Sequence, residues 1–293
     1  MLEDFPVIDI ITVNYNGRHF LEEFFTAIVN LSYPKDKIRL IFIDNNSKDG
    51  SIEWVKSQKT DFSVILLTNK KNLGFATANN LAFRICKAEF IALLNNDTKV
   101  EPDWLVWLVR AIRSDSGIGI VSSRQLPKES PRLIDPQSNE TSWCSGGHCL
   151  IRRSCLEKVG YFDDKFFMYG EDVDLSWRMW LHGYKCLYVP EAICYHHYKS
   201  PERFIERRLM FHVRNSILLR YTYGRRYDIL RQVWKWIKEA FAFALKRGDF
   251  KKAFAICSGV FLHAFCIAHF IQKGRRLKRF SSFEQVKQKW ITL

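Results

Sequence analysis

Between Phe166 and Trp180 the chain reads FFMYGEDVDLSWRMW. Three carboxylates, Glu171, Asp172 and Asp174, fall within four positions at the start of a helical pattern. Val173, Trp177, Met179, Trp180 and Leu181 recur at helical spacing and are expected to face a core, with Arg178 directed elsewhere. Acidic residues suit a first helical turn, whose unpaired N–H groups and dipole favour negative charge. An aromatic run (Phe162, Phe166, Phe167, Tyr169) and a hinge at Gly170 lead into them. Aromatic walls restrict the water around a carboxylate and raise its basicity, which suits a general base. Asp174 and Arg178, four residues apart, can pair and brace the helix.

The segments that must position these groups alternate strand and helix. Val7 to Val13 (VIDIITV) is a β-branched run of the kind buried in a parallel sheet, and it ends in Asn14-Tyr15-Asn16-Gly17. A helix is expected from Phe20 to Leu31. A second strand, Ile38 to Ile43, ends in Asp44-Asn45-Asn46-Ser47, and Lys48 to Ser51 opens another helix. Val64 to Leu67 is a third strand; Asn72-Leu73-Gly74-Phe75 leads into a helix through Asn79 and Asn80. Phe90 to Leu94 is a fourth, ending in Asn95-Asn96-Asp97. The alternation predicts a doubly wound α/β sheet, whose ligands bind beyond the carboxyl ends of the strands. Three strands finish there in Asn/Asp clusters. GxGxxG after the first strand and GxxxxGK[ST] are both absent, so the usual glycine-loop phosphate sites are not expected. A metal held by carboxylates is then the obvious means of meeting a phosphate.

Further along, residues 122–142 are polar with three prolines and read as a long loop. Gly146 and Gly147 allow backbone to approach a ligand closely, or form a bulge. His148 to Arg152 reads as a strand, as do Cys186 to Val189 and Ala192 to Tyr195. His196 and His197 follow; adjacent residues of an extended segment face opposite ways, so at most one of them is expected to serve a site.

The chain of 293 residues has a formal charge of +14 and is 47% hydrophobic, enough for a sizeable core. The charge is uneven: residues 199–293 hold 22 Lys and Arg against 6 Asp and Glu. The eight cysteines show no CxxC pair and read as reduced thiols. MLEDFPVIDI has no basic stretch before an apolar run, so a secretory leader is not expected.

The ordered motifs VIDIITVNYNG, IFIDNNSKDGS, NLGFATANN, ALLNNDT, SGGHCLIRRSCLEKVGYFDDKFFMYGEDVDLSWR and YHHYKS resemble those of family-two glycosyltransferases with the GT-A fold, rhamnosyltransferase-like members above all. The resemblance covers about Val7 to Tyr221. It implies a Rossmann-like, mostly parallel central sheet with a C-terminal helical extension. It implies a domain over 1–225 that binds a nucleotide sugar; the charge and helical pattern that follow mark a basic, mostly helical region over 226–293. The implied reaction is inverting transfer of a sugar from a UDP- or dTDP-linked donor to a hydroxyl of a glycan or lipid-linked acceptor in surface polysaccharide synthesis. Mn²⁺ or Mg²⁺ would be the cofactor. By resemblance Thr12, Asn14, Asn16, Asp44, Asn46, Asn72, Gly74, Asn79 and Asn96 form the nucleotide pocket, with Asp44 accepting from the ring N–H of the base. Asp97, the one acid in its motif, and His196 (or His197) bind the metal. Asp172 is the base and Glu171 its acidic neighbour; Gly146, Gly147 and Tyr169 belong to the acceptor and sugar pocket. Two other classes fit the composition: a catalytically inactive polyanion- or membrane-binding protein of this fold, and a sugar nucleotidyltransferase.

In the last third, Tyr227 to Arg247 carries a helical apolar stripe, Leu230, Val233, Trp234, Ile237, Phe241, Ala244 and Leu245, flanked by Arg231, Lys235, Lys238 and Lys246. Ala253 to Ile271 is uncharged and near bilayer-spanning length, and Lys273 to Arg279 is strongly basic. These helices either pack on the catalytic domain, lie on an anionic membrane, or span it. The expected setting is cytoplasmic, peripheral at the inner face of the plasma membrane, with no nucleic-acid partner.

Overall fold

The computed structural model describes residues 4–129, 133–197 and 205–291. The apolar runs become the strands. β1 (Ile8–Asn14), β2 (Ile38–Asp44), β3 (Ser63–Thr68) and β4 (Phe90–Leu94) lie parallel, in the spatial order β3-β2-β1-β4. Their connections are α1 (Arg18–Val29), α2 (Ser51–Ser57) and α3 (Gly74–Phe83). The sheet continues through β7 (His148–Arg152), β6 (Ile118–Leu126), β8 (Lys185–His196) and β5 (Thr98–Val100). β7 and β5 run against their neighbours and the other six strands share one direction. Both faces are covered, which is why the central strands are apolar without alternation. Ile8 and Ile10 pack with α1 and α4 (Trp104–Arg113) on one face. Ile11 packs on the other with α3, α5 (Arg153–Val159) and α6 (Glu171–Leu181).

Five further helices follow: α7 (Ile205–Tyr223), α8 (Arg226–Phe241), α9 (Phe250–Leu262), α10 (Ile267–Leu277) and α11 (Phe283–Trp290). α7, α10 and α11 share the core of the second face, where Leu218, Tyr223, Phe270, Leu277, Phe283 and Trp290 join Leu175, Trp177 and Met179 of α6 in one apolar cluster; α8 and α9 pack on α7 in a separate one, through Ala240, Ile256, Val213 and Ile217. Trp290 stacks on Trp180 at 4.8 Å.

Four expectations change. Ser122 to Leu126 are not loop but the end of β6, paired with β8; the buried Ser122 and Ser123 hydroxyls find partners inside, Ser123 with His148. Residues 130–132 of that stretch lie outside the described residues. The two short strands around Pro190 are one strand, β8, whose register against β6 jumps between Ser123↔Val189 and Arg124↔Ile193. The irregularity accommodates a proline that has no N–H to give a ladder. The helix expected to Arg247 leaves α-geometry at Ala242, where a wider turn runs to Lys246. Arg178 does not face outward: it is 6% exposed and is held inside by Asp174 and by the carbonyls of Val159, Gly160 and Tyr161.

Candidate active site

The loops after β1, β2 and β4 are stitched together by asparagine amides. Asn14 Nδ2 donates to Asp44 Oδ1 and Ser47 Oγ, both at 3.0 Å, while its Oδ1 accepts from Asn96 Nδ2. Asn16 and Asn46 adopt positive φ, which asparagine tolerates better than most residues, and Asn16 Oδ1 accepts from the Lys48 amide. Asn45 bridges onward to the Gly74 carbonyl and the Asn69 amide. Asn72 caps the Gly74 amide. Gly74 has φ +81° and lies so close to Phe167 that a Cβ would overlap that residue's carbonyl; Phe75 N donates to the same oxygen at 2.7 Å. The segment before the carboxylates is thus clamped onto the strand-end loops.

These contacts enclose a cleft of about 240 Å³. Tyr15, Asn16, His19, Phe20, Asn45, Asn72 and Phe75 form one part of its wall, Asn95, Asn96 and Asp97 another, and Phe167, Met168, Arg207 and Arg208 a third. Thr12, Asn14, Asp44, Asn46 and Asn79 do not line it. Asp44 is fully buried, with Asn14 on one oxygen and the Ser47 amide on the other. Thr12 is buried below the cleft, where Val13 takes the lining position. Asn79 turns inward and donates to the Phe75 carbonyl one helical turn back. Of these, Asn14, Asp44 and Asn79 spend their side chains on hydrogen bonds within and between the loops, while the buried Thr12 hydroxyl has no partner.

Asp97 follows β4 and His196 ends β8; the pairing Thr98↔His196 brings them together. His196 Nε2 stands 3.4 Å from Asp97 Oδ1, and that buried oxygen accepts no hydrogen bond. His197 faces the other way, with Nε2 2.7 Å from Glu23 Oε2 and its ring stacked on Phe20. Of the two histidines, His196 therefore shares a site with Asp97. Tyr198, Lys199 and Ser200 of the same motif lie outside the described residues.

Tyr169 (φ +70°) and Gly170 (φ +91°) turn the chain into α6. Asn215 of α7 fixes this turn by donating to the carbonyls of Met168 and Tyr169. Glu171 is 5% exposed and its Oε2 has no partner; burial, then the neighbouring Asp172 charge, pushes its carboxyl well above the usual range. Asp172 is raised by burial too, although Gly146 N and Val173 N donate to it. The Gly146 backbone stands between Asp172 and Phe75, a cleft wall, and Gly147 lies against Asn95. Asp172 does not itself line the cleft, but it shares the neighbourhood of Gly146 with Phe75, which does. Asp174 differs: burial alone would raise it, but Lys273 and Arg178 outweigh that and hold it below the ordinary carboxylate value.

Sequence reasoning missed Arg207, Arg208, Asn215, Tyr223 and Lys273. The two arginines read as part of a diffuse basic tail. A buried asparagine in mid-helix and a lysine 99 positions from its partner carry no periodic signal.

The fold recurs in solved structures of glycosyltransferases. A mannosyltransferase from Pyrobaculum calidifontis, in complex with GDP-Man and Mn²⁺, matches with a TM-score of 0.65 at 19% identity, covering 99% of this chain and 85% of that one. GalNAc-T7 with UDP, GalNAc and Mn²⁺ matches with a TM-score of 0.62 at 16% identity, over 98% of this chain and 58% of that one. The architecture is the GT-A fold with added C-terminal helices. Residues 9–176 match the model of glycosyl transferase family 2, and the chain belongs to that family. Curated relatives include the probable glycosyltransferase YdaM of Bacillus subtilis, 26% identical over 66% of this chain and 51% of its own. The poly-beta-1,6-N-acetyl-D-glucosamine synthase of Staphylococcus aureus is 24% identical over 66% and 50%. The N-acetylglucosaminyl-diphospho-decaprenol L-rhamnosyltransferase of Mycobacterium tuberculosis is 26% identical over 65% and 76%. The chain spans about half the length of the first two.

Proposed function

We propose that the chain is an inverting, metal-dependent transferase that moves a sugar from a UDP- or dTDP-linked donor to a hydroxyl of a glycan or lipid-linked acceptor in surface polysaccharide synthesis. In this reading residues 1–225 carry the chemistry and residues 226–293 hold the protein at the cytoplasmic face of a membrane. The observation that carries it is Asp97, which lines the strand-end cleft: its Oδ1 is buried, accepts no hydrogen bond and stands 3.4 Å from His196 Nε2. A carboxylate oxygen and an imidazole fit a divalent cation such as Mn²⁺ or Mg²⁺, and among the described residues no group of three His, Cys, Asp or Glu is placed to hold one alone. Held by Asp97 and His196, that cation would supply positive charge to the donor's diphosphate.

The protein's own groups divide the remaining work. Arg207 and Arg208, across the cleft, offset charge growing on the departing diphosphate. Asp172 accepts the proton of the acceptor hydroxyl as that oxygen attacks the anomeric carbon and the bond to the diphosphate breaks. Its raised basicity suits the task. One base suffices for inversion, with no second carboxylate needed as nucleophile. Glu171, Gly146, Gly147 and Tyr169 lie on the acceptor side. The names of the staphylococcal synthase and the mycobacterial rhamnosyltransferase support an envelope-polysaccharide role and, in the second case, a lipid-linked acceptor.

The test is a panel of nucleotide sugars with Mn²⁺, Mg²⁺ or EDTA, read by thermal shift and by product release. One donor should raise Tm with metal, in proportion to its occupancy, and should yield a nucleoside diphosphate; the product's anomeric configuration reports inversion. Asp97→Ala should remove the metal-dependent part of the shift while free nucleoside still binds. Pyrophosphate release would make the protein a nucleotidyltransferase. The absence of both shift and release would favour the inactive, membrane-binding reading.

A further inference from the structure

Nine large apolar side chains are between 57% and 79% exposed, and all nine lie between residues 227 and 265; no other large apolar side chain among the described residues exceeds 44%. They form two ridges. At 100° per residue, Tyr227, Leu230, Trp234, Phe241 and Leu245 fall on one outward stripe of α8 and its continuation. Phe250, Phe254, Phe261 and Phe265 fall on one stripe of α9 and the turn after it. Between the ridges runs an open, almost wholly apolar groove of about 390 Å³, whose walls include Ile237 and Ala240 of α8 and Ile256 and Val260 of α9. On the far flank of the first ridge lies a polar cleft of about 460 Å³ carrying Arg220, Arg231, Lys235 and Lys238. Two acids, Asp228 and Glu239, line it as well; Asp228 is occupied in capping the Arg225 amide. Lys238 stands 5.5 Å from the Trp234 ring, at the boundary between ridge and cleft.

The order across this surface is cations, apolar ridge, apolar groove, apolar ridge. We infer that the α8–α9 hairpin is a lipid-docking face: it lays both ridges into one leaflet of an anionic bilayer and takes headgroup phosphate in the Arg220–Lys238 cleft. Charge complementarity selects this occupant. A second protein chain would have to cover bare aromatic ridges and four cations side by side, whereas a phospholipid offers an anionic head beside apolar chains. The face lies on the bilayer and does not cross it. Phe250–Leu277 is long and apolar enough to span, but its second half is fixed in the catalytic core: Phe270 is fully buried and Lys273 bonds Asp163 and Asp174 at 2.7 Å each. A Cβ at Gly274 would collide with the Thr222 carbonyl.

The inference rests on the reading that the chain works at a membrane, and it names the surface that does so. Flotation of the full chain with zwitterionic or anionic vesicles, at low and high salt, tests it. Wild type should bind anionic vesicles at least tenfold more tightly at low salt and retain a residual, salt-resistant fraction from apolar burial. Trp234→Glu with Phe261→Glu should abolish binding to both vesicle types. Arg231→Glu with Lys235→Glu should erase the preference for anionic lipid and spare the residual fraction. All four side chains are solvent-facing, and an unchanged Tm verifies folding. Vesicle binding that survives both double variants overturns the inference. So does a concentration-dependent dimer of the wild type, lost in the ridge variant, with no vesicle binding by either. Donor hydrolysis by the wild type, measured alongside, tests the transferase reading separately: its absence leaves the vesicle result standing, and failed flotation with hydrolysis intact removes only the docking face.

Discussion

Asp172 and Asp174 stand two residues apart on α6 and meet opposite surroundings. Toward the cleft, Asp172 and its neighbour Glu171 are short of partners. Two backbone amides serve Asp172, Glu171 Oε2 has none, and both carboxyls are pushed upward by burial. Toward the back, Asp174 is saturated. Arg178 Nε reaches one oxygen at 2.8 Å; Tyr223 Oη and Lys273 Nζ reach the other at 2.9 and 2.7 Å. Lys273 also bonds Asp163, which His269 contacts at 2.8 Å. The difference teaches what each carboxylate is for. A group kept under-bonded retains affinity for a proton; a group bonded on every side holds elements together. Here it ties α10 of the basic C-terminal region to α6.

The largest expected effect is on the under-bonded side. Asp172→Asn keeps shape but, with one acceptor oxygen in place of two, only one of the two amide contacts, and it cannot take a proton, so kcat should fall by roughly 10² to 10⁴ with donor affinity unchanged. Tm should change little, because the relieved cost of burying that charge offsets the lost amide contact. A kcat near wild type would move the base elsewhere, Glu171 first. A steep fall in Tm would erase the contrast with Asp174.

The next effect is on the saturated side. Lys273→Met keeps the apolar stem but takes the ammonium from two buried carboxylates, leaving Asp174 to Arg178 and Tyr223 and Asp163 to His269, which costs about 3 kcal/mol. For a chain of this size that is roughly 6 to 12 °C in Tm. The pH dependence has a definite sign. Asp163 is held at about 2, and Asp174 also lies below the ordinary value. Their stabilisation is complete above the unfolded carboxylate value of about 3.9 and is lost as pH falls toward about 2. Glu171 and Asp172 act in reverse, since their burial cost is relieved as pH falls through their raised values. Wild type should therefore lose stability mainly below about pH 4, and Lys273→Met should already be destabilised at neutral pH. Equal Tm values at pH 7 would mean that the network contributes nothing to holding α10.

Much of this was legible. The runs VIDIITV, IRLIFI and FIALL are apolar at successive positions because both faces of the sheet are covered, and that pattern gives the strands and their order of use. The carboxylates of α6, Asp97 and the Gly146–Gly147 turn stood out by residue type. The partners did not. Whether Arg178 points in or out depends on carbonyls at the end of α5, and an i, i+4 spacing is blind to them. β6 looked like loop because its serines are polar, yet their bonds are made inside the sheet. The apolar stripe of α8 was readable as a stripe, but not that half of it faces water.

The smallest effect sharpens the last point, at two neighbouring asparagines on α3. Asn79 matched the nucleotide-binding pattern, yet its side chain is 1% exposed and donates to Phe75 O. Asn80 carried no expectation of that kind, yet it grips Phe162 twice, donating to its carbonyl at 2.9 Å and accepting from its amide at 3.1 Å. Phe162 begins the aromatic approach to the carboxylates. Asn79→Ala should cost about 1 kcal/mol of stability, the usual worth of one hydrogen bond, and shift donor Kd less than about threefold. Asn80→Ala leaves a buried amide and carbonyl unpaired and should cost about 2 kcal/mol, with kcat lowered through a looser 162–170 segment. Chemical denaturation and donor titration of both variants decide the matter. A tenfold loss of donor affinity in Asn79→Ala at normal stability would return that residue to the nucleotide pocket, and burial would then have been the wrong guide to which residues of the motif touch ligand.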